Sequence, residues 1–261
     1  MTLAFAVAVV GLGFAGAFLS GLVGEGGAIV MIPLLYYVPP LLGVGSLDIK
    51  QVAGVTMTQV LVSAALGAWT HGRRARVHGQ LAAVAGGAMA AGALAGGLAS
   101  SVVSGRALLV VFAAMTTAAL VLMAVRPALD DHVGTGREMP FDRLKAAIYP
   151  CGIGVASGLV GAGGAFLVVP VLVALLRIPV RLAIGTSLAI VGISAAAGFA
   201  GKAITAQIPI WPALAVVLGS IAGAPLGARV SHRAPVSVLR AVLAAVVAAV
   251  AIRVWIDVLW P

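Results

Sequence analysis

Long apolar runs, separated by short polar stretches, make up almost the whole chain. Residues 3–24, 79–105 and 107–125 contain no charged side chain. Each run is long enough for a helix that crosses the apolar core of a bilayer, which takes about 20 residues. The apolar positions are continuous and do not alternate with polar ones, as they would in the strands of a membrane barrel. The pattern therefore predicts an all-α polytopic membrane protein.

The runs fall into two sets. In each set two apolar arms flank a glycine-rich interruption, and three uninterrupted spans follow. The arms cover 3–22 and 27–42, then 144–160 and 164–177; the spans cover about 52–71, 79–102 and 105–126, then 182–202, 209–230 and 235–257. The first pair of arms makes about 60 Å of helix, twice the apolar thickness. It must therefore fold back as a hairpin, or bend strongly, at its glycines, and the second pair repeats this pattern.

A repeated motif indicates that the two sets arose by duplication. "SGLVGEGGAIVMIPLL" (Ser20–Leu35) and "SGLVGAGGAFLVVPVL" (Ser157–Leu172) are identical at ten of sixteen positions without a gap. We predict a first transmembrane repeat over 1–126, a polar cytoplasmic linker over 127–143 and a second transmembrane repeat over 144–261. Internal repeats are the common plan of secondary transporters, whose binding site lies where the repeats meet.

The positions of the arginines favour an inverted topology of the repeats. Basic residues concentrate in cytoplasmic loops, so we place Arg73, Arg74 and Arg76 inside. If each pair of arms is a hairpin, each half crosses an odd number of times, and the halves are inverted. The arginines that then lie on or near the inside are Arg177, Arg181, Arg229, Arg233 and Arg240. One bent crossing per pair would put these five outside, so we predict inverted repeats with both termini outside.

Composition narrows the class further. The chain is 62% hydrophobic with a net charge of +9, but its basic residues are scattered between apolar runs. This distribution is typical of topology signals and not of a nucleic-acid surface. The single cysteine, Cys151, excludes an internal disulfide and a cysteine metal cluster. We expect a multi-pass protein of the bacterial inner membrane, with lipid and a small anion as partners and no nucleic acid, metal or cofactor. The sequence is compatible with a homodimer.

The glycine-rich interruptions carry the predicted binding chemistry. "GEGG" and "GAGG" can adopt positive φ and turn tightly, so that a new helix starts beyond them with unpaired N–H groups and the positive end of its dipole. Such helix starts bind anions. The predicted binding residues are Gly24, Gly26, Gly27 and Ala28 in the first half and Gly161, Gly163, Gly164 and Ala165 in the second. The alternative is that these glycines only permit a tight hairpin tip.

Glu25 is the asymmetric element of the motif, because its repeat partner is Ala162. An ionisable residue inside a membrane is a functional candidate by default. A protonated Glu25 would not repel a neighbouring anion, whereas a charged one would. We therefore expect Glu25 to couple proton movement to anion movement. The alternative is that its carboxylate caps a helix start.

Polar and small residues on the following spans complete the candidates. Hydroxyls and an amide that follow the interruptions are expected to donate to substrate oxygens or to bond neighbouring helices: Thr56, Thr58, Gln59, Thr186 and Ser187. Lys202 ends a span, where an interfacial role is expected. Glycines at every fourth position are expected to let helices approach closely: Gly92 and Gly96, and Gly219, Gly223 and Gly227.

The doubled motif resembles that of the TauE/SafE family of membrane permeases, also called sulfite exporters. The matching residues are Gly21, Gly24, Gly26, Gly27 and Pro33, and Gly158, Gly161, Gly163, Gly164 and Pro170. The "GTS" of Gly185–Ser187 also fits, whereas Val55–Met57 departs from it. The resemblance covers nearly the whole chain and implies transport of small sulfur-containing anions such as sulfite or sulfonates like sulfoacetate. An anion channel is the nearest alternative. An intramembrane enzyme is a more distant one, because the sequence contains no nucleophile or metal motif.

Overall fold

The computed structural model describes residues 2–23, 28–71, 77–124, 141–231 and 236–260, and these residues contain helices and no strand. Ten helices lie within them: α1 (Leu3–Val23), α2 (Ala28–Leu41), α3 (Ile49–His71), α4 (Gly79–Ala99), α5 (Gly105–Ala124), α6 (Arg143–Val160), α7 (Ala165–Ala174), α8 (Val180–Ile204), α9 (Ile210–Ser231) and α10 (Val236–Leu259). The predicted all-α architecture is confirmed, and the predicted arms and spans agree with these helices to within about three residues.

Six of the described helices are long and apolar enough to cross a membrane: α1, α3, α4, α5, α8 and α9. Two shorter apolar helices, α2 and α7, follow the glycine interruptions. α7 has ten residues, or about 15 Å, which is about half the apolar thickness of a bilayer. α7 is therefore too short to span a membrane by itself.

α2 folds back along α1. Gly16 in α1 lies against the side chains of Met31 and Leu34, whereas Phe5, near the start of α1, lies against Gly45, beyond the end of α2. Residues early in α1 thus meet residues late in α2, so the two helices are antiparallel. The first pair of arms is a hairpin and not one bent crossing.

α6 and α7 form a second hairpin. The end of α7 returns to the start of α6, where a cavity of about 420 Å³ is lined by residues of both ends: Asp142, Lys145, Leu175, Leu176 and Arg177. The interruption between these helices consequently lies at the far end of the hairpin from Arg177. The glycine-rich stretch from Gly161 to Gly164 is thus the tip of a helix hairpin.

Each hairpin packs on the fourth helix of the other half. In the α4–α6 contact, a side chain at Gly92 would overlap the carbonyl of Cys151, and one at Gly96 would overlap that of Val155. The backbones of the two helices can approach this closely because both positions lack a Cβ. The prediction that these glycines serve helix packing is confirmed.

The α1–α9 contact repeats the α4–α6 contact residue by residue. Gly223 lies against the carbonyl of Phe14, and Gly227 against that of Phe18. In the register of the repeated motif, Phe14 and Phe18 are the counterparts of Cys151 and Val155. The two halves therefore share one core, in which each contributes a hairpin to the other.

The third helices of the two halves run in opposite directions. Gly54, near the start of α3, lies against Gln207, just beyond the end of α8, and Ala64, later in α3, meets Gly192, earlier in α8. Antiparallel third helices are what two inverted repeats require. This direction supports the predicted inversion.

Candidate functional site

The interruption between α6 and α7 is built from three glycines in the left-handed backbone region. Gly161 ends α6 with φ 78°, and Gly163 and Gly164 follow with φ 64° and 68° before α7 begins at Ala165. L-residues with a side chain rarely adopt this conformation, whereas glycine does so readily. All four residues from 161 to 164 are buried. The predicted break at these glycines is therefore a defined turn inside the protein.

Two long helices hold the turn near their middles. A side chain at Gly163 would overlap that of Val60, and one at Gly164 would lie 2.6 Å from the terminal methyl of Met89. Val60 and Met89 are close to the central residues of α3 and α4, both of which are membrane-span candidates. The end of the turn thus lies at about the mid-depth of these two helices.

The turn leaves backbone donors without acceptors. The first hydrogen bonds of α7 run from the amides of Leu167 and Val168 to the carbonyl of Gly164, both at 3.0 Å. Four preceding amides donate to no residue that the structure describes: Gly163, Gly164, Ala165 and Phe166. Unpaired amides at a helix start carry partial positive charge and bind anions. The geometry predicted for the second half is present.

The corresponding glycine-rich stretch of the first half, Gly24, Glu25, Gly26 and Gly27, lies outside the described residues. The predicted roles of these four residues therefore stay predictions. α2 begins at buried Ala28, as α7 begins at Ala165. Each of these helices carries a proline at its sixth position, Pro33 and Pro170, so the equivalence of the two segments continues beyond the turn.

Most of the predicted hydroxyl ligands already use their protons within their own helices. Thr56 donates to the carbonyl of Val52, Thr58 donates to that of Gly54 at 2.9 Å, and Ser187 donates to that of Ile184 at 2.8 Å. Such bonds are a common use of hydroxyls inside helices. To bind an anion as donors, these side chains would have to rotate.

Thr186 bonds to a different helix. Its Oγ1 accepts a hydrogen bond of 3.1 Å from the backbone amide of His78, and the Nδ1 of His78 in turn accepts from the amide of Leu81 and caps α4. Thr186 thus joins the start of α8 to the start of α4. The sequence allowed two uses for this hydroxyl, substrate binding and bonding between helices, and the structure shows the second.

Gln59 is the exception among the predicted polar ligands. Its side chain is fully buried, yet neither Oε1 nor Nε2 has a hydrogen-bond partner among the residues that the structure describes. Buried amides are almost always bonded, because an unsatisfied one costs about 1–3 kcal/mol. Gln59 lies on α3 directly before Val60, at the level where α3 meets the turn. Among the described residues, the two donors and the acceptor of this amide are thus unpaired.

The prediction of an interfacial Lys202 is wrong. The side chain is fully buried, because α8 continues to Ile204 and carries Lys202 inside the bundle. Its ammonium donates to the carbonyl of Leu159 at 2.8 Å, to Oγ of Ser100 at 2.8 Å and to Oε1 of Gln207 at 3.1 Å. The one local signal in the sequence is that Gln207 follows five residues later and can satisfy a buried ammonium.

Comparison with known proteins places the chain among membrane transporters. The family model described as "Sulfite exporter TauE/SafE" matches residues 9–254. Relatives named "Probable membrane transporter protein" occur in two Xylella fastidiosa strains: 9a5c, 29% identical over 237 residues (91% of this chain, 89% of the relative), and Temecula1, 30% identical over 241 residues (91% and 89%). The Bacillus subtilis protein "Probable membrane transporter protein YdhB" is 24% identical over 224 residues (84% and 88%). No solved structure matches the chain.

Proposed function

Because the chain belongs to the TauE/SafE sulfite exporter family of membrane transporters, we propose that it is a secondary transporter of small sulfur-containing anions, such as sulfite or sulfonates like sulfoacetate. The anion binds at the turn between α6 and α7, together with its counterpart before α2. Inverted repeats bring the two helix starts to one site, and the opposite directions of α3 and α8 support this arrangement.

The observation that carries the proposal is the set of four unpaired amides from Gly163 to Phe166. A sulfite or sulfonate group presents three oxygen acceptors around sulfur, and adjacent amides at a helix start suit such a group. Hydrogen bonds to an ionised acceptor are roughly twice as strong as neutral ones. Irregular backbone at membrane depth needs partners from protein or from an aqueous cavity. A bound anion supplies the acceptors that α6 and α7 leave missing.

Gln59 adds side-chain donors to this set. Its buried, unbonded amide lies on the helix that contacts the turn through Val60. A neutral donor binds an anion without adding a permanent charge to the apolar core. The site therefore attracts anions through dipoles in a region where full charges are costly.

Glu25 is proposed to couple the anion to a proton. It stands in the glycine-rich stretch of the first half, where the second half has Ala162. A charged carboxylate beside the site repels the anion, and a protonated one does not. Anion binding and proton binding thus favour each other, which couples their movement.

Flux through reconstituted protein tests the function. The purified chain is placed in liposomes, and uptake of labelled sulfite and labelled sulfoacetate is measured at a mildly acidic and a mildly alkaline pH. We expect saturable flux that is faster with an inward proton gradient. A conductance that does not saturate would instead favour an anion channel, and absence of flux for both anions contradicts the proposed substrate class.

The Glu25→Gln variant tests the coupling separately. We expect it to retain anion exchange across the membrane while losing acceleration by a proton gradient. Asp142→Asn removes a carboxylate far from the turn and serves as the matched control. Normal gradient-driven transport by Glu25→Gln would exclude Glu25 as the coupling residue.

A further inference from the structure

The buried ammonium at the end of α8 has no place in the function described so far. Resting on the proposed anion transport, we propose that Lys202 supplies the positive charge of the anion pathway, with Ser100 and Gln207 as its co-ligands. These three side chains form a hydrogen-bonded polar cluster near the C-terminal ends of α4 and α8. The cluster bonds to the last turn of α6, and the unpaired amides follow in the turn and at the start of α7.

The surroundings of Lys202 contain acceptors but no counter-charge. The ion pairs among the described residues join Lys145 to Asp142 and Arg253 to Asp257, and neither includes Lys202. Its three donors bond only to a hydroxyl, an amide oxygen and a backbone carbonyl. Removing a charge from water without a counter-ion is costly. If the site receives an anion during transport, that anion is the counter-charge that makes a buried ammonium useful here.

The cluster is directly connected to the turn. The carbonyl of Leu159 that accepts from Lys202 belongs to the last turn of α6, two residues before Gly161 and four before the first unpaired amide at Gly163. The C-terminal end of a helix carries partial negative charge and stabilises a cation. The ammonium therefore bonds to the helix end that precedes the turn, and the unpaired amides belong to the turn and to the helix start that follows it.

The other members of the cluster are bonded so that they can exchange partners. Ser100 donates to the carbonyl of Gly97 at 2.6 Å and accepts from Lys202, while Nε2 of Gln207 donates to Oγ of Ser100 at 3.0 Å and to Oγ1 of Thr205 at 2.8 Å. Every one of these acceptors is neutral. An anion oxygen is a stronger acceptor for the Lys202 ammonium than any of them.

A second lysine, Lys50, lies near the cluster. Lys50, at the start of α3, donates to the carbonyl of Ser101 at 2.7 Å, and Ser101 adjoins Ser100. A partly exposed and a buried ammonium thus bond to two adjacent serines. Cations arranged along an entrance raise the local concentration of anions. Asp48 is the described carboxylate nearest in sequence, and it is exposed and bonded to the amide of Lys50.

Removing the charge of Lys202 tests the proposal. Lys202→Gln and Lys202→Arg are compared with wild type in two assays: stabilisation of the detergent-purified protein by sulfite and by sulfoacetate, and flux in liposomes. We expect Lys202→Gln to raise the apparent Kd and KM for both anions by about tenfold or more, whereas Lys202→Arg retains most of the affinity. Lys145→Gln removes a lysine from the other end of α6, and we expect unchanged values.

The outcomes separate this inference from the proposed function. If wild type transports the anions and a folded Lys202→Gln variant has the same KM, the role of Lys202 is excluded, and the proposed function is unaffected. Binding that depends on Lys202 without flux supports the site and contradicts transport of these anions, and absence of both binding and flux contradicts both proposals. If Lys202→Gln does not fold, Lys202→Arg decides: retained affinity supports a role for the charge, and lost affinity in a folded protein overturns it.

Discussion

Gly161 lies against the backbone of Ala53 so closely that a methyl group at position 161 would overlap the Ala53 carbonyl. Gly161 is also the residue at which α6 ends in a left-handed conformation, with φ 78°. Two independent constraints, conformation and space, thus exclude a side chain here. The shape of the turn is consequently fixed by its contact with α3.

Gly161→Ala is expected to destabilise the protein and to abolish anion transport. The left-handed conformation costs an alanine roughly 1–2 kcal/mol, and overlap with a neighbouring backbone adds about 1–3 kcal/mol. Thermal denaturation of the detergent-solubilised protein measures this loss. Gly152→Ala on the same helix is the control, because a methyl group there meets no atom within 4 Å. Equal stability of the two variants would contradict the close contact.

Matched glycines in the two halves are expected to respond alike to substitution. Gly92→Ala pushes α4 away from α6 at Cys151, and Gly223→Ala pushes α9 away from α1 at Phe14. We expect each to lower stability by about 1–3 kcal/mol, the usual effect of overpacking. Gly87→Ala on α4 has open space and should be neutral or slightly stabilising. Melting temperatures of the three variants test this, and a large difference between Gly92→Ala and Gly223→Ala would contradict the equivalence of the two contacts.

The helices and the turn could be predicted from the sequence because both depend on local patterns. A run of about 20 apolar residues can only be a buried or spanning helix, and the glycines of the turn stand in one short stretch. The repeated motif likewise aligns Phe14 with Cys151, and the structure gives these two residues equivalent contacts with Gly223 and Gly92. Local pattern and tertiary position agree at these residues.

The burial of Lys202 and the unpaired amide of Gln59 could not be predicted, because both depend on which way a side chain faces in the bundle. Lys202 stands near the end of a span, where most lysines reach the interface, and only tertiary packing turns it inward. Thr56, Thr58 and Gln59 look equivalent along the chain, but the two hydroxyls find carbonyls within α3 while the amide finds no partner. The hydrophobic periodicity of α3 does not distinguish a bonded side chain from an unbonded one.

Asp142 is expected to give the start of α6 a pH-dependent stability. Its carboxylate accepts from the amides of Leu144 and Lys145, and the bond from the Lys145 amide is the main cause of a pKa below the ordinary 3.8. Because the folded pKa is lowered, this stabilisation is present above 3.8 and disappears as the pH falls through the folded pKa. The protection of the Leu144 and Lys145 amides against hydrogen exchange, relative to the intrinsic rate at each pH, should therefore decrease at low pH in wild type. Asp142→Asn retains a cap without a titrating charge and should remove this dependence.

Gln59→Leu is expected to separate stability from transport. The amide of Gln59 is fully buried and has no hydrogen-bond partner among the described residues. Replacing it with an apolar side chain of similar size removes the cost of burying an unpaired polar group, about 1–3 kcal/mol. We expect the melting temperature of Gln59→Leu to equal or exceed that of wild type. If the amide serves the anion, the same variant should transport about tenfold more slowly or with a correspondingly higher KM.

Thr58→Val, one residue away, is the control for Gln59→Leu. It removes a hydroxyl whose proton already bonds to Gly54 within α3, so we expect little change in KM. Lower stability of Gln59→Leu would indicate that the amide has a structural partner, and unchanged transport would exclude it from the anion site. A stabilised protein that transports poorly is the combination that a purely structural glutamine cannot produce, because its loss would lower stability and activity together.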